Sequence, residues 1–244
     1  MNKLCVKHFL FSALVAAFTI AGAGNAVSES AHQPKTVVEL YTSQGCSSCP
    51  PADEFLGELV RNSDVLGLSF AVTYWDYIGW KDIFASEAND ARQNAYRERL
   101  RSRYVYTPQM VIGGAKHVVG SDRSAAETLI RKLALHSKRL PLEWSFNGDQ
   151  LNIILPTGSG EATLWLFDLD REEDVDIRRG ENKGKIITYH NIVRKIRSIG
   201  QWDGAAKTIR LDLADIRAQG REGCALVVQQ DGYGPIIAAL EVSF

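Results

Sequence analysis

The sequence has few cysteines and no excess of charge of either sign. Its 244 residues include only 4 cysteines, and 28 Lys and Arg residues are balanced by 29 Asp and Glu residues. The near-neutral charge leaves no broad basic face for a phosphate backbone, so nucleic acid is not an expected partner. Four cysteines in a chain of this length do not make a disulfide scaffold. Since 45% of the residues are hydrophobic and 23% are charged, we expect a folded globular protein.

Long hydrophobic runs are also scarce, and the one at the N-terminus is too short to span a bilayer. Lys3 and Lys7 precede an apolar run from Phe9 to Ile20, which is followed by small residues up to Ala26. A membrane span needs about 20 apolar residues. The pattern predicts a cleaved secretory signal over residues 1–26, with a retained membrane anchor as the alternative. We therefore expect a periplasmic or secreted protein with no membrane span after cleavage.

Two of the three cysteines left after such cleavage lie close together, in Cys46-Ser47-Ser48-Cys49. They follow the β-rich run "TVVELY" and precede "PPADEFLGELV", whose apolar residues have helical spacing. Prolines are tolerated in a first helical turn, so the pattern predicts a strand, a loop and a helix that begins at the cysteine pair. The third cysteine, Cys224, opens the apolar run "CALVVQQ". Core packing and a role as a third redox thiol both stay open for it.

The first half of the mature chain alternates strand and helix patterns. A buried strand is predicted at residues 65–74 and a charged helix within 85–104. Gly113-Gly114 then has the form of a tight hairpin turn between "QMVI" and "AKHVV". A last helix follows at 121–136, with Ser121 or Asp122 as its cap. The predicted order is β-α-β-α-β-β-α.

The second half consists of short β-rich runs separated by turn signals, with no strong amphipathic helix between them. About seven strands are expected, which favours an antiparallel sandwich. Residues 180–184, "GENKG", are predicted to be a simple turn. The predicted organisation is a signal peptide at 1–26, an N-terminal extension at 27–35, an α/β domain at 36–139 and a β-sandwich domain at 140–244.

The order of elements resembles the thioredoxin fold, with Cys-x-x-Cys at the first strand-to-helix junction and Thr107-Pro108 before the third strand. More narrowly, four stretches are similar to the secreted bacterial family called domain of unknown function 1223: "ELYTSQGCSSCPPAD", "YWDYIGWKD", "YTPQMVIGG" and "RGENKGKIITYHNIVR". This resemblance covers nearly the whole mature chain. It implies an α/β thioredoxin-like domain followed by an all-β antiparallel sandwich-like domain, and it carries no established reaction.

The cysteine pair is predicted to be a redox-active disulfide. A thiol at a helix N-terminus lies near unpaired amides and the positive end of the macrodipole, which favour the thiolate. Cys46 is therefore the expected nucleophile, and Cys49 the residue that resolves a mixed disulfide. The leading hypothesis is an exported thiol-disulfide oxidoreductase without a further cofactor, acting on protein or small-molecule thiols and served by an unidentified redox partner.

Two alternatives stay open. A metal-handling protein would use the cysteine pair with His117 or His190 to hold copper(I) or zinc. A non-catalytic binding module would keep the pair as a permanent staple, although such a short loop restrains little chain entropy.

Two more candidates rest on the thioredoxin resemblance. It implies that Pro108 is cis and that the main chain of Thr107 pairs with an extended substrate; a plain strand-opening proline is the alternative. Glu39 interrupts the first strand near the position where thioredoxins keep a buried acid that takes part in proton transfer. The alternative is a carboxylate at a sheet edge with a basic partner.

An aromatic segment follows the second strand. Loops that leave the carboxyl ends of neighbouring parallel strands meet at one rim of the sheet, so this segment is expected beside the cysteines. Its candidate substrate-binding residues are Trp75, Asp76, Tyr77 and Trp80. Packing against the second domain is an equal alternative for them.

Overall fold

The computed structural model describes residues 29–136 and 139–244, and the predicted signal peptide lies outside these ranges. The strands are β1 Ser30–His32, β2 Thr36–Thr42, β3 Val65–Ala71, β4 Gln109–Ile112, β5 Lys116–Val119, β6 Glu143–Asn147, β7 Gln150–Leu155, β8 Ala162–Asp176, β9 Ile186–Trp202, β10 Lys207–Asp212, β11 Gly223–Gln230 and β12 Ile236–Ser243. The helices are α1 Pro50–Val60, α2 Glu87–Arg99, α3 Arg123–His136 and α4 Leu213–Ala218, with a 3₁₀ turn at Asp76–Ile78. No helix in the described ranges is both long and apolar enough to cross a bilayer.

The strands form one large mixed sheet and one small antiparallel sheet. The large sheet has nine strands in the order β1-β12-β11-β8-β9-β3-β2-β4-β5, and the small one has three in the order β10-β7-β6. β2 pairs parallel with β3 and antiparallel with β4. β9 lies parallel to β3, with Ile192 opposite Ser69. The fold is therefore a mixed α/β architecture built on a single dominant sheet.

The predicted order of elements in the first half is present as β2-α1-β3-α2-β4-β5-α3. Gly113 and Gly114 both have positive φ, as the two central residues of a tight β4–β5 turn require. The carboxylate of Asp122 accepts the N–H of Ala125, so Asp122 rather than Ser121 caps α3.

The second half differs from the predicted sandwich in how its strands are shared. All seven strands from β6 to β12 are present, but β8, β9, β11 and β12 continue the large sheet of the first half. Only β6, β7 and β10 form a second layer, and they pack through Leu151 and Ile153 onto Leu166 and Leu226. The sheet thus runs through the expected boundary at 139/140, and the division into two domains stays a prediction.

One helix was not expected from the sequence. α4 has six residues, and the carboxylate of Asp212 accepts the N–H of Ala214 at its start. A helix of this length is too short to show a full amphipathic period, so only the capping residue marks it in the sequence.

The central strands separate two faces that hold different helices. Every residue of β2 and β3 is buried. On one face Val38 and Leu40 pack with Phe55 of α1. On the other face Tyr41 and Phe70 belong to a cluster with Tyr96 of α2. This alternation decides which side chains of β2 can meet the cysteines.

Candidate functional site

The cysteine pair lies where β2 leads into α1. Cys46 and Cys49 form a disulfide with their Cα atoms 5.4 Å apart. Cys49 is the residue that precedes α1, and its carbonyl accepts the N–H groups of Ala52 and Asp53. Pro50 and Pro51 have no N–H, so two of the amides expected to hold a Cys46 thiolate are missing, and the macrodipole remains. Both cysteines are buried, with exposures of 1% for Cys46 and 0% for Cys49.

Pro108 lies against the start of α1. The Thr107–Pro108 peptide bond is cis, the geometry that the thioredoxin resemblance implies. A side chain added at Gly120 would contact Pro108, Leu40 and Ala52 at once, which places the Pro108 ring beside the first turn of the helix. Pro108 is buried and Thr107 is partly exposed. The roles predicted for these two residues stay predictions, and their position beside the cysteine loop fits them.

The aromatic segment also lies against the cysteine loop. A side chain at Gly45 would contact both Trp75 and Ile78 within about 3.3 Å. The indole N–H of Trp75 donates to the Thr107 hydroxyl at 2.7 Å, and that of Trp80 donates to the Gln44 side-chain oxygen at 2.8 Å. Trp75 thus links the two loops that flank the disulfide.

The other two residues of this segment have different positions. The Asp76 carboxylate accepts the N–H of Asp82, so it holds the turn together. Tyr77 stacks on Trp75 with an interplanar angle of 13° and is 80% exposed. Tyr77 therefore presents an open aromatic face, whereas Asp76 is engaged within the turn.

Glu39 is held on the opposite face of β2 by a complete set of hydrogen bonds. Its carboxylate accepts from Nε and Nη2 of Arg92 at 2.7 and 2.9 Å. It also accepts from the hydroxyls of Tyr96 at 2.6 Å and Tyr41 at 3.1 Å. The side chain faces α2, whereas the cysteines adjoin α1. The basic partner of the second interpretation is present, but Glu39 lies in a buried central strand and not at a sheet edge.

Arg92 is itself enclosed by aromatic side chains. Its guanidinium also donates to the side-chain oxygen of Gln229 in β11 at 3.0 Å. Five rings have their centroids 5.0 to 5.8 Å from its central carbon, namely Phe70, Tyr96, Trp165, Phe167 and Tyr233. The ion pair therefore joins α2, β2 and the second half of the chain.

Two acidic residues that the sequence analysis did not single out lie buried near the cysteines. Asp53 is 3% exposed and Asp82 is 2% exposed. Burial raises the pKa of Asp53 well above its ordinary value, and the charge of Asp82 adds to this effect. The Thr42 hydroxyl acts in the opposite direction and lowers the pKa. Burial raises the pKa of Asp82 to about 6, although the N–H groups of Gln44 and Phe84 donate to it. Within the described ranges no cation pairs with either carboxylate.

Asp53 is placed on the same face of α1 as Cys49, since residues four apart are neighbours on a helix. This spacing is a signal that the sequence did contain. Tyr189 of β9 is buried close to both carboxyl groups, and burial with their charges raises the pKa of its hydroxyl. A buried carboxyl group with a raised pKa therefore lies one helical turn from Cys49.

The connection between β8 and β9 reaches the cysteine loop from the second half of the chain. Asn182 is fully buried, and its Nδ2 donates to the carbonyls of Gln44 and Cys46, both at 2.9 Å. The Ser47 N–H donates to the Glu181 carboxylate at 3.2 Å. The sequence marks residues 180–184 only as a turn, because nothing in their pattern names a distant partner.

The two histidines considered for metal binding have partners other than the cysteines. His117 contacts the Tyr106 hydroxyl at 2.8 Å, and burial lowers its pKa. His190 lies 3.2 Å from Glu172, and its ring packs over Gly57. Across residues 29–136 and 139–244, no three His, Cys, Asp or Glu side chains are grouped in a way that would hold a metal ion. The metal-handling alternative therefore has no support from the positions of these histidines.

Cys224 is a free, fully buried thiol in β11, and burial raises its pKa to about 12. Such a thiol is protonated at neutral pH and does not act as a nucleophile. Its surroundings are those of a core residue.

An apolar cavity of about 230 Å³, lined by Val37, Leu133 and Ile237 among others, lies at the start of β2, the end remote from the cysteines.

Comparison with known proteins assigns a family. The model of the family described as "Protein of unknown function (DUF1223)" matches residues 37–229, which is most of the chain. The chain belongs to this family. A crystal structure of a protein from Agrobacterium tumefaciens is 34% identical, with a TM-score of 0.74, over 87% of this chain and 95% of that one.

A second solved structure shares the fold alone. HBP35 of Porphyromonas gingivalis is 13% identical to this DUF1223 protein, with a TM-score of 0.58, over 86% of this chain and 75% of that one. No curated protein matches the chain. The comparisons thus establish the DUF1223 family, and any reaction has to be argued from the site.

Proposed function

We propose that this DUF1223 protein is an exported thiol-disulfide oxidoreductase whose residues 36–139 form a thioredoxin-like unit. The observation that carries the proposal is the Cys46–Cys49 disulfide at the start of α1, with cis Pro108 beside it and a buried acid one helical turn further on. A short-loop disulfide restrains little chain entropy, so stability alone is a poor reason for its presence. The grouping of the disulfide, Pro108 and Asp53 at one place favours a role in thiol–disulfide exchange over a purely structural disulfide.

The proposed exchange begins at Cys46. A thiolate of a partner dithiol attacks the Cys46 sulfur, the Cys46–Cys49 bond breaks, and Cys49 leaves as a thiolate that takes up a proton. The partner's second thiolate then attacks the partner's first sulfur, the bond from that sulfur to Cys46 breaks, and Cys46 leaves as a thiolate that takes up the second proton. The partner loses two electrons and two protons, which the cysteine pair gains. We infer this oxidising direction because reduction outside the cytosol needs a separate supply of electrons.

Asp53 is the residue we propose for proton transfer to Cys49, in place of Glu39. All four hydrogen bonds to Glu39 come from Arg92, Tyr96 and Tyr41, on the face of β2 away from α1. Asp53 has no cation beside it in the described part of the chain, and its raised pKa keeps a proton available where the Cys49 thiolate forms.

Trp75, Tyr77 and Thr107 supply the proposed contact surface for a partner. Tyr77 is open to solvent, Trp75 stacks beneath it, and Thr107 is bonded to Trp75. A flat aromatic surface beside an extended backbone suits a peptide in extended conformation. Protein thiols are therefore the substrate class that this surface favours over small thiols.

Trapping tests the proposed function. In a Cys49→Ser variant Cys46 is a free thiolate that attacks the disulfide of an oxidised partner, the reverse of the proposed exchange. The Cys49 thiolate that would release the partner is absent, so partners are expected to stay attached through Cys46. The measurement is non-reducing electrophoresis of the exported protein followed by mass spectrometry of the adducts. A Cys46→Ser, Cys49→Ser double variant is the matched control and should carry none. Equal labelling of both variants would argue for the non-catalytic module.

The raised pKa of Asp53 gives a pH-dependent effect on stability. A buried carboxyl group that keeps its proton in the folded state binds more protons there than in the unfolded chain, so it lowers stability as the pH rises above about 4. We expect Asp53→Asn to be more stable than the wild type at pH 8, because the neutral amide avoids the cost of ionising a buried carboxyl group. The gain should shrink towards pH 4.

Urea denaturation at a series of pH values measures this gain. Asp82, whose pKa is about 6, adds its own decline in stability between pH 4 and pH 6 in both proteins. A gain that does not change with pH would contradict the assignment of Asp53 as a protonated group. The same variant should also oxidise a dithiol peptide more slowly than the wild type, since the proton for Cys49 is missing.

A further inference from the structure

The disulfide is closed off from other molecules in this conformation. Exchange requires the sulfur of an incoming thiolate to reach the sulfur of Cys46. Cys46 is 1% exposed and Cys49 is fully buried, whereas Ser47 and Ser48 between them are exposed. A partner therefore meets the two serines, and a neighbouring segment has to move before exchange can occur.

The segment that contacts the cysteine loop from the second half of the chain is the β8–β9 connection, residues 177–185, which we call the latch. It is closed by its own backbone bonds, from Gly184 N–H to the Ile177 carbonyl at 2.7 Å and from Ile177 N–H to the Lys185 carbonyl at 2.9 Å. Gly180 and Gly184 both have positive φ, a backbone conformation that favours glycine. A groove of about 720 Å³ beside Pro50, Glu54 and Lys185 adjoins the latch and leaves space next to it.

Asn182 fastens the latch to the cysteine loop. Its Nδ2 donates to the carbonyl oxygens of Gln44 and Cys46, and its Oδ1 accepts from Nζ of Lys185 within the latch. The Ser47 N–H adds a third bond across the contact, to Glu181. Gly180 packs on the Cβ atom of Trp80, whose indole holds the Gln44 side chain. The polar side-chain contacts of Glu181 and Asn182 are thus with the loop that carries Cys46 or with Lys185 of the latch.

Because the latch is held to the cysteine loop by hydrogen bonds, the contact can open and close reversibly. A buried apolar side chain would cover the cysteines without the cost of burying an amide. A hydrogen bond in a protein replaces bonds to water, so each one shifts an opening equilibrium by only about two- to tenfold. Three such bonds keep the latch closed most of the time and still let it open without unfolding of the sheet.

We propose that the latch keeps the Cys46–Cys49 disulfide out of reach of other thiols, and that release of Asn182 from the carbonyls of Gln44 and Cys46 is the step that admits a partner. The proposal rests on the proposed oxidoreductase function, whose substrate access it regulates. A thiol partner that binds beside the latch and displaces it gains access to Cys46. Thiols that do not displace it react only during spontaneous openings.

The rate of disulfide reduction by dithiothreitol tests the latch in the full chain. The oxidised protein is mixed with excess reductant, and free thiols are labelled with a maleimide at intervals and counted by mass spectrometry. Asn182→Ala removes two of the three bonds, so we expect reduction to be about tenfold faster or more. Asn89→Ala is the matched control, because Asn89 is equally buried and donates to the Ala71 carbonyl of β3, not to the cysteine loop. Its rate should match that of the wild type.

A second pair of variants keeps the test independent of folding defects. Glu181→Gln changes an exposed side chain and weakens the bond to the Ser47 N–H, so a two- to fivefold faster reduction is expected. Glu173→Gln removes the same charge from an exposed position in β8 and should have no effect. If neither Asn182→Ala nor Glu181→Gln changes the rate, the latch does not control access.

Dithiothreitol is a chemical probe, so the result does not depend on whether a natural partner exists. Faster reduction of the variants together with an empty Cys49→Ser trap would leave the latch standing and remove the oxidoreductase. Unchanged reduction rates together with partners attached to the Cys49→Ser variant would support the oxidoreductase and exclude the latch. The two proposals therefore fail separately.

Discussion

Replacing Arg92 with methionine is expected to lower the free energy of unfolding by about 3–5 kcal/mol, because the Glu39 carboxylate would stay buried without its charged partner. Arg92 is 2% exposed and Glu39 is fully buried. Five aromatic rings around the guanidinium shut out the water that would otherwise solvate a lone carboxylate. Urea denaturation at pH 7 measures the change.

Two further variants separate this effect from lost packing. Arg131→Met breaks an exposed pair with Glu127 on α3 and should cost less than about 1 kcal/mol. The double variant Glu39→Gln, Arg92→Met removes both charges and should be more stable than Arg92→Met alone. If the double variant is the less stable of the two, the destabilisation comes from lost side-chain volume and not from the unpaired charge.

Replacing Cys46 with serine is expected to abolish oxidation of a reduced dithiol peptide, since a hydroxyl group cannot form the mixed disulfide. The assay follows peptide disulfide formation by mass spectrometry with stoichiometric oxidised protein. Cys224→Ala is the matched control, because this thiol is buried and its pKa of about 12 keeps it protonated. It should retain full activity per folded molecule.

The reduction potential of the cysteine pair tests the proposed direction of exchange. An oxidant should show a reduction potential above about −270 mV, the value of the thioredoxin class, when the Cys46–Cys49 pair is equilibrated with glutathione buffers. A potential below that value would reverse the proposed direction and leave the exchange itself in place. Equal peptide oxidation by Cys46→Ser and the wild type would remove the exchange altogether.

Local chemistry explains which parts of the fold the sequence predicts. The two prolines after Cys49 and the apolar spacing behind them indicate the start of α1, and Gly113-Gly114 indicates the β4–β5 turn. These signals act within a few residues and survive in any tertiary context. The sharing of strands between the two sheets depends on which edges meet, and no local pattern encodes that. This is why a sandwich was expected, whereas in the structure four of the strands continue the large sheet and three form a separate layer.

The same distinction applies to the candidate site. The aromatic segment was singled out because the carboxyl ends of parallel strands gather at one rim. Thr107 was singled out through the thioredoxin resemblance. Asn182 was not found, because its partners lie 136 and 138 residues away in the chain. Glu39 was noticed as a charge in an apolar strand, yet its partner Arg92 comes from a helix whose charged pattern gave no sign of burial. Asp53 had a signal in its spacing from Cys49, which the acids on the solvent side of α1 obscured.

The pairing of β9 with β3 has a consequence for any attempt to study the two halves separately. A fragment of residues 36–139 would present the backbone N–H and C=O groups of β3 as an open strand edge, a template for aggregation. It would also uncover the side of Phe70 that meets Phe167 of β8. We therefore expect the unit that carries the cysteine pair to fold stably only when both halves of the chain are present.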